Sequence, residues 1–218
     1  MATELNSAIA PFEKEGVRGF LHTPIERGEG GMVLTHGASA DSSSPLLVTV
    51  ANAFSSAGFT VLRCDLSFRQ RRPRGPPSPA NAAGDRAGLK SAVVALRGLV
   101  RGDVFLAGHS YGGRQASMLA AEEPELSAGL LLLSYPLHPP GKPERLRTEH
   151  FRGLRTRAVF VHGTADPFGS IAELRQAIAL ITAPTQLITI EGARHDLGGR
   201  RFDPSALVGA MSAGEVLR

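Results

Sequence analysis

The sequence predicts an α/β protein, a three-layer α/β/α sandwich built on a mostly parallel sheet of about seven strands. Three observations carry this. Short apolar runs such as Met32-Val33-Leu34-Thr35, Leu130-Leu131-Leu132-Leu133 and Ala158-Val159-Phe160-Val161 read as strands buried on both faces. Segments with helical periodicity alternate with them, and repeated βα units require a parallel sheet with right-handed crossovers. The 218 residues, 42% hydrophobic and 20% charged, suit one large core.

In chain order, residues 1–16 are polar and unpatterned and are expected to form an irregular N-terminal arm. Residues 17–218 are expected to form a single domain. Residues 16–21 alternate well enough for one edge strand, stopped by His22-Thr23-Pro24. Ser44-Pro45 starts a helix, with Ser44 as cap and Pro45 in the first turn. Leu47, Val50, Ala51 and Phe54 mark its buried face. Residues 59–64 form the next buried strand and hold the lone Cys64. From Asp65 onward, Pro73, Pro76, Pro77 and Pro79 forbid regular structure, so residues 65–79 read as a long basic loop.

Leu89, Val93, Leu96 and Val100 mark a second amphipathic helix. Ser170-Ile171-Ala172-Glu173 has the form of a capping box, and residues 186–190 form the last strand. Asp203-Pro204 opens a closing helix through Leu207, Val208 and Met211. No stretch is apolar and long enough to span a membrane, and Met1 to Asn6 lacks the pattern of a secretory leader. With one cysteine, a reducing, cytoplasmic setting is expected. The net charge of +4 does not establish a nucleic-acid partner, and none is expected.

The chemistry points to Gly108-His109-Ser110-Tyr111-Gly112. An apolar strand runs into G-x-S-x-G and then straight into helix, which is the order a nucleophile elbow requires. Serine needs a base within hydrogen-bond reach, and the base needs an orienting carboxylate. Ser110, Asp166 and His195 each follow a strand, at the sheet edge where open α/β folds place their sites. Asp196, Asp65 and Glu191 are rival acids, read as solvated loop charges. His22, His36, His109, His138 and His162 sit in tight turns, at a strand end or beside prolines and are read as structural. His150 falls in a charged segment expected to be exposed.

An oxyanion gains most from preorganised N–H donors. Tyr111, next after the nucleophile, supplies one, and Ala38 in His36-Gly37-Ala38-Ser39 is the choice for the other, with Ser39 second. Arg69, Arg71, Arg72 and Arg74 crowd the same edge. Arg72 and Arg74 are candidate anion contacts, against the alternative that the loop is simply solvated. No H-x-H, H-E-x-x-H or cysteine cluster suggests a metal, and no Gly-rich phosphate loop follows a strand. No cofactor is expected.

These motifs resemble the α/β-hydrolase superfamily from about Val17 to the end, and more narrowly its small, lidless dienelactone-hydrolase-like branch. The nearest resemblance is to the hydrolase-like subfamily that includes testis-expressed proteins and a subunit of a histone-acetyltransferase complex. It rests on Thr35-His36-Gly37-Ala38, Phe68-Arg69-Gln70-Arg71-Arg72-Pro73, Tyr135-Pro136-Leu137-His138-Pro139-Pro140-Gly141 and His162-Gly163-Thr164-Ala165-Asp166-Pro167-Phe168-Gly169. The resemblance implies the fold without a cap domain, the triad and hydrolase chemistry, and supplies no substrate; the residues are read as those of a serine hydrolase acting on a small ester or thioester. The leading strands appear in the sequence as one, and residues 136–157 are too few for a helical lid. The alternative is a catalytically silent scaffold or regulatory subunit that binds a partner through the Arg-rich loop.

Overall fold

The computed structural model describes residues 7–26, 28, 30–198 and 202–212. Its sheet has eight strands rather than about seven: β1 (Ser7–Lys14), β2 (Val17–Pro24), β3 (Gly31–Thr35), β4 (Thr60–Cys64), β5 (Val104–His109), β6 (Leu130–Leu133), β7 (Ala158–Gly163) and β8 (Thr185–Ile190). They lie in the order β1-β2-β4-β3-β5-β6-β7-β8. From β4 to β8 the pairing is parallel, whereas β1–β2 and β2–β4 are antiparallel.

The extra strand corrects the expected irregular arm, because residues 7–14 pair along their whole length with β2, from Ser7 opposite Pro24 to Lys14 opposite Val17. Residues 1–6 lie outside the described residues. β1 is largely exposed on both faces, so its sequence carries no apolar alternation. What fixes it is the two-residue turn Glu15-Gly16, with φ of 52° and 78°, the mirror-image geometry that matches hairpin twist.

Alternate residues of each central strand face opposite layers. Val33, Leu62, Leu106, Leu132 and Phe160 pack against helices α3 (Ala82–Arg97), α4 (Tyr111–Glu122) and α5 (Ile171–Ile178). Met32, Leu34, Val61, Leu131, Leu133 and Val161 pack against α1 (Pro45–Ser56) and α6 (Ser205–Ser212). The capping box of α5 is formed: Glu173 N–H donates to Ser170 Oγ at 3.2 Å, and Ser170 N–H to Glu173 Oε2 at 2.8 Å. Ser44 caps α1 by position but makes no side-chain bond.

The basic segment after Asp65 is not wholly loop, since Ser67–Arg71 forms the short helix α2. The cause is tertiary. The Phe68 N–H donates to Asp85 Oδ1 on α3 at 2.8 Å, which satisfies a donor that the helix start leaves open. Residues 136–157 add only a 3-10 turn at Phe151–Gly153, and Phe151 packs on Tyr135 and Phe160. Among the described residues no cap domain covers the sheet edge.

Burial leaves several histidines uncharged. Burial lowers His22 to about 4, helped by Arg63, which donates Nε–H to His22 Nε2 at 2.7 Å. Burial also lowers His109 and His150 to about 4. Stability rises with pH wherever the unfolded chain binds more protons than the native one. These groups titrate near their ordinary value of about 6.5 when unfolded. Their contribution is therefore complete above that value and is lost as the pH falls from there toward 4. Unfolding at pH 5 is expected to take up about two more protons than at pH 7.5 from this source. Urea midpoints measured at both values check it, and equal stability at both would show these imidazoles to be accessible in the native protein.

Candidate active site

β5 ends at Ser110, whose φ of 51° and ψ of −118° swing the chain straight into α4. A serine in that region carries strain of order 1–3 kcal/mol, and close backbone packing holds it there. A Cβ on Gly108 would stand 2.5 Å from Gly113 N, and one on Gly112 would stand 2.5 Å from His36 O. Only glycine fits at either place. The Ser110 N–H donates to Leu133 O at 2.8 Å, tying the elbow to the next strand.

His195 lies in the loop after β8 and Asp166 in the loop after β7. His195 Nε2 is 2.7 Å from Ser110 Oγ, and Nδ1 is 2.8 Å from Asp166 Oδ2. The carboxylate can only accept, so Nδ1 carries the proton and Nε2 is left to accept from the serine hydroxyl. Burial alone would raise the Asp166 carboxyl, but hydrogen bonds from His195 and from the Phe168 amide outweigh it and hold the pKa below its ordinary value. The Phe168 N–H reaches Asp166 Oδ1 at 2.8 Å. The rival acids stand elsewhere: Asp196 Oδ1 accepts from Gly198 N–H, and Asp65 Oδ1 from Ser42 N–H. Asp65 is a half-buried structural anchor rather than the solvated charge expected.

Three further groups brace the loops that carry His195 and Asp166. Phe168 stacks on the His195 ring with centroids 4.1 Å apart and 29° between planes. His109 Nε2–H donates to the His195 carbonyl at 2.8 Å, which fixes the loop backbone directly under the imidazole. His162 Nε2–H donates to Gly169 O at 2.8 Å and lies 3.7 Å from Asp166 Oδ2. Burial lowers the His162 pKa, so it acts there as a neutral ring.

The turn after β3 is braced from inside. His36 Nδ1–H donates to Gly37 O at 2.8 Å, and Nε2 accepts from the Leu66 N–H at 3.1 Å. Arg69, only 5% exposed, donates Nη2–H to Ala38 O at 2.8 Å and Nε–H to Ala40 O at 2.9 Å. The same guanidinium reaches Arg72 O at 3.3 Å and Gly75 O at 3.2 Å. The proline-rich segment thus wraps around Arg69, with residues 71–74 turned outward.

This corrects the assignment of Arg72 and Arg74. Both are exposed, and neither lines the cavity over Ser110. That cavity, about 560 Å³, is walled by Gly37 to Ala40, Pro76 to Pro79, the elbow, Met118, Phe168 and His195. Its cations are Arg114 and Arg147, which the sequence reading did not pick. Arg114 lies in the first turn of α4, where its N–H donates to Ser110 O at 3.0 Å, so its closeness to the elbow was readable from the sequence. Arg147 sits in an irregular loop, with no local pattern to mark it. His150, expected in the open, instead bonds Ser117 Oγ through Nε2 at 2.8 Å. Among the described residues, no group of three or more His, Cys, Asp or Glu could hold a metal ion.

The sequence profile of the alpha/beta hydrolase domain matches residues 29–212. The chain belongs to the α/β-hydrolase family. The hydrolase superposes on a dienelactone hydrolase from Anabaena variabilis with a TM-score of 0.72 at 20% identity, over 94% of each chain. It is similar also to Est1E from Butyrivibrio proteoclasticus with ferulic acid bound, with a TM-score of 0.71 at 16% identity over 92% and 95% of the two chains. XC6422 from Xanthomonas campestris, described as a serine hydrolase without a lid, gives 0.64 at 15% over 96% and 93%. At these identities the likeness is one of fold. No helix among the described residues is long and apolar enough to cross a membrane.

Proposed function

We propose that this protein is a serine hydrolase of small esters or thioesters, acting through an acyl-enzyme on Ser110 with His195 as base and Asp166 as its orienting acid. The observation that carries the reading is the unbroken hydrogen-bond chain from Ser110 Oγ through His195 to Asp166. As Oγ attacks the carbonyl carbon, its proton passes to Nε2. The imidazolium so formed is stabilised by Asp166 and by the face of Phe168. His195 then gives that proton to the leaving oxygen or sulfur. In the second half a water attacks the acyl-enzyme, its proton goes to Nε2, and Ser110 recovers it as the acid departs.

The oxyanion is received by the Tyr111 N–H, at the start of α4 where helical donors are open, and by the Ala38 N–H. In a trans peptide the N–H points opposite to the preceding carbonyl. Gly37 O is held by His36 and by the Ala40 N–H, which supports an Ala38 N–H directed away from them, into the cavity that Ala38 lines. The structures titled dienelactone hydrolase and Est1E with ferulic acid support a small-molecule substrate. A cytoplasmic setting is part of this reading and suits the single thiol, Cys64, which burial raises to about 12.

A fluorophosphonate probe tests it, since such probes react only with an activated serine. Covalent labelling of the wild type that maps to Ser110 and vanishes in Ser110→Ala is the expected result. Equal labelling of both proteins, or none of either, overturns it and leaves the fold as a binding scaffold.

A further inference from the structure

The two N–H groups proposed for the oxyanion come from separate turns, Tyr111 from the start of α4 and Ala38 from the turn after β3. One oxygen accepts from both only if each lies about 2.7–3.1 Å away, so the gap between the turns must be held. Asp85 reaches both sides of that gap. It stands in the first turn of α3 and is fully buried. Its Oδ2 accepts from the Tyr111 hydroxyl at 2.8 Å, and its Oδ1 from the Phe68 N–H at 2.8 Å. Phe68 is followed by Arg69, whose guanidinium holds the carbonyls of Ala38 and Ala40. A path from one turn to the other therefore runs through this carboxylate.

Ion pairing does not account for the residue. Asp85 forms no salt bridge among the described residues, and Arg86 beside it pairs with Glu122 at 3.0 Å. A buried carboxylate is costly, and the start of a helix offsets only part of that. What the position needs is two acceptors, since both of its partners donate. Burial, and then the bond to Asp85, raise the pKa of the Tyr111 phenol, so it keeps its proton and goes on donating. With five residues, α2 is too short to hold itself. It is seated on α3, where Ser67 Oγ–H donates to Gly84 O at 3.0 Å and a Cβ on Gly88 would collide with Ser67 Oγ. The Phe68 ring meets both Tyr111 and His36 edge-on, with 5.8 Å between centroids in each case.

We propose that Asp85 is a positioning residue of the oxyanion hole, a buried carboxylate that sets the distance between the Tyr111 and Ala38 N–H groups. It does not line the cavity over Ser110, so it acts through Tyr111 on one side and α2 on the other. The chemical half of the proposal rests on the hydrolase reading, whereas the brace itself does not. Charge builds on the oxygen only as the bond to Ser110 forms, so a displaced donor weakens the transition state more than the bound substrate. The brace consists of two bonds and not of charge. An asparagine accepts from the Phe68 N–H through Oδ1 and donates from Nδ2 to the phenol oxygen, whose hydroxyl is free to turn. Leucine, of similar size, does neither.

Asp85→Leu and Asp85→Asn test it on 4-nitrophenyl acetate, with rates expressed per serine titrated by a fluorophosphonate so that misfolded protein does not count. Asp85→Leu is expected to lower kcat at least about tenfold and to leave KM within about threefold of wild type. Asp85→Asn should recover most of that loss. A carboxylate that only supports the fold would lower the titrated fraction and the melting temperature and leave kcat per serine unchanged. Amide exchange, followed by NMR at neutral pH, reads the brace without any chemistry. The Ala40 N–H donates to Gly37 O at 3.2 Å in one turn, and the Arg114 N–H to Ser110 O at 3.0 Å in the other. Both should exchange at least about tenfold faster in Asp85→Leu. The Ser134 N–H, which donates to Val161 O at 2.8 Å, is the reference and should not change.

Faster exchange in both turns, with no hydrolysis or labelling by the wild type, supports the brace and counts against the hydrolase reading alone. An active wild type whose kcat per serine is unchanged in Asp85→Leu overturns the proposal and leaves the hydrolase standing. Exchange that quickens in one turn only overturns it too, because the two turns would then be held separately. An Asp85→Asn protein as slow as Asp85→Leu has the same force, since charge and not the pair of bonds would be at work. Should Asp85→Leu fail to fold, Tyr111→Phe cuts the same link at its other end and carries the same kinetic and exchange comparisons, with Asp85→Asn added to it expected to slow the protein little further.

Discussion

Ser110→Ala and His195→Ala will each lower the kcat of a short acyl ester by about four to six orders of magnitude, and the double variant will be little worse than either. The reason is geometric. With Nε2 only 2.7 Å from Oγ, the two residues act as one unit, so losing one makes the other idle. Asp166→Asn should cost about 10⁴-fold while leaving the fold intact, because an amide that donates to Nδ1 forces the proton onto Nε2. Steady-state assays with 4-nitrophenyl acetate, against a mock preparation to exclude host esterases, measure all four proteins. A Ser110→Ala protein as active as the wild type would remove the elbow from the chemistry.

Arg69→Leu will have a large effect although the residue lies outside the proposed triad. One buried guanidinium holds the carbonyls of Ala38, Ala40, Arg72 and Gly75 and covers the Phe68 ring with its carbon 4.9 Å from the centroid. Hydrogen bonds to a charged group contribute about 1.5–3 kcal/mol each, but they share one side chain and are not additive. A loss of about 3–5 kcal/mol is therefore expected, with a fall in melting temperature of about 10 °C or more. The same change frees the backbone around Ala38. With Ala38 N–H in the proposed role of oxyanion donor, whose loss costs about 10²-fold or more in kcat, activity is expected to fall even at a temperature where the variant is fully folded. Arg72→Ala and Arg74→Ala, both exposed, serve as controls and should stay within about 0.5 kcal/mol of wild type. Unchanged stability and kcat in Arg69→Leu would show that the turn after β3 holds itself.

The central strands and the Ser–Asp–His order were legible because their causes are local. Leu130 to Leu133 is apolar at every position as it is buried on both faces, and Gly108-His109-Ser110-Tyr111-Gly112 is a turn written in residue types. β1 was not legible, since its residues are exposed on both faces and only pairing with β2 orders them. Arg69 shows the same limit from the other side. In sequence it is one of four basic residues in a proline-rich stretch, and nothing nearby separates it from Arg72 or Arg74. It becomes structural because Ala38 and Ala40, about thirty positions earlier, bring carbonyls to it. Arg147 joins the cavity in the same nonlocal way, through a loop that packs Phe151 under Tyr135.

The close backbone contacts at Gly108, Gly112 and Gly113, where an added Cβ would meet main-chain atoms at 2.5 to 2.7 Å, divide this protein for anyone who wishes to redesign it. Variation there is closed, because no rotamer relieves a clash with a peptide group and no substrate would compensate for it. Freedom lies instead on the opposite rim. Pro76, Pro77, Ser78 and Pro79 come from a surface segment, and Met118 and Arg147 also line the cavity. A combinatorial library spread over those six positions would alter what the catalyst accepts while inheriting its machinery unchanged, whereas equal diversity at the elbow would yield chiefly unfolded chains.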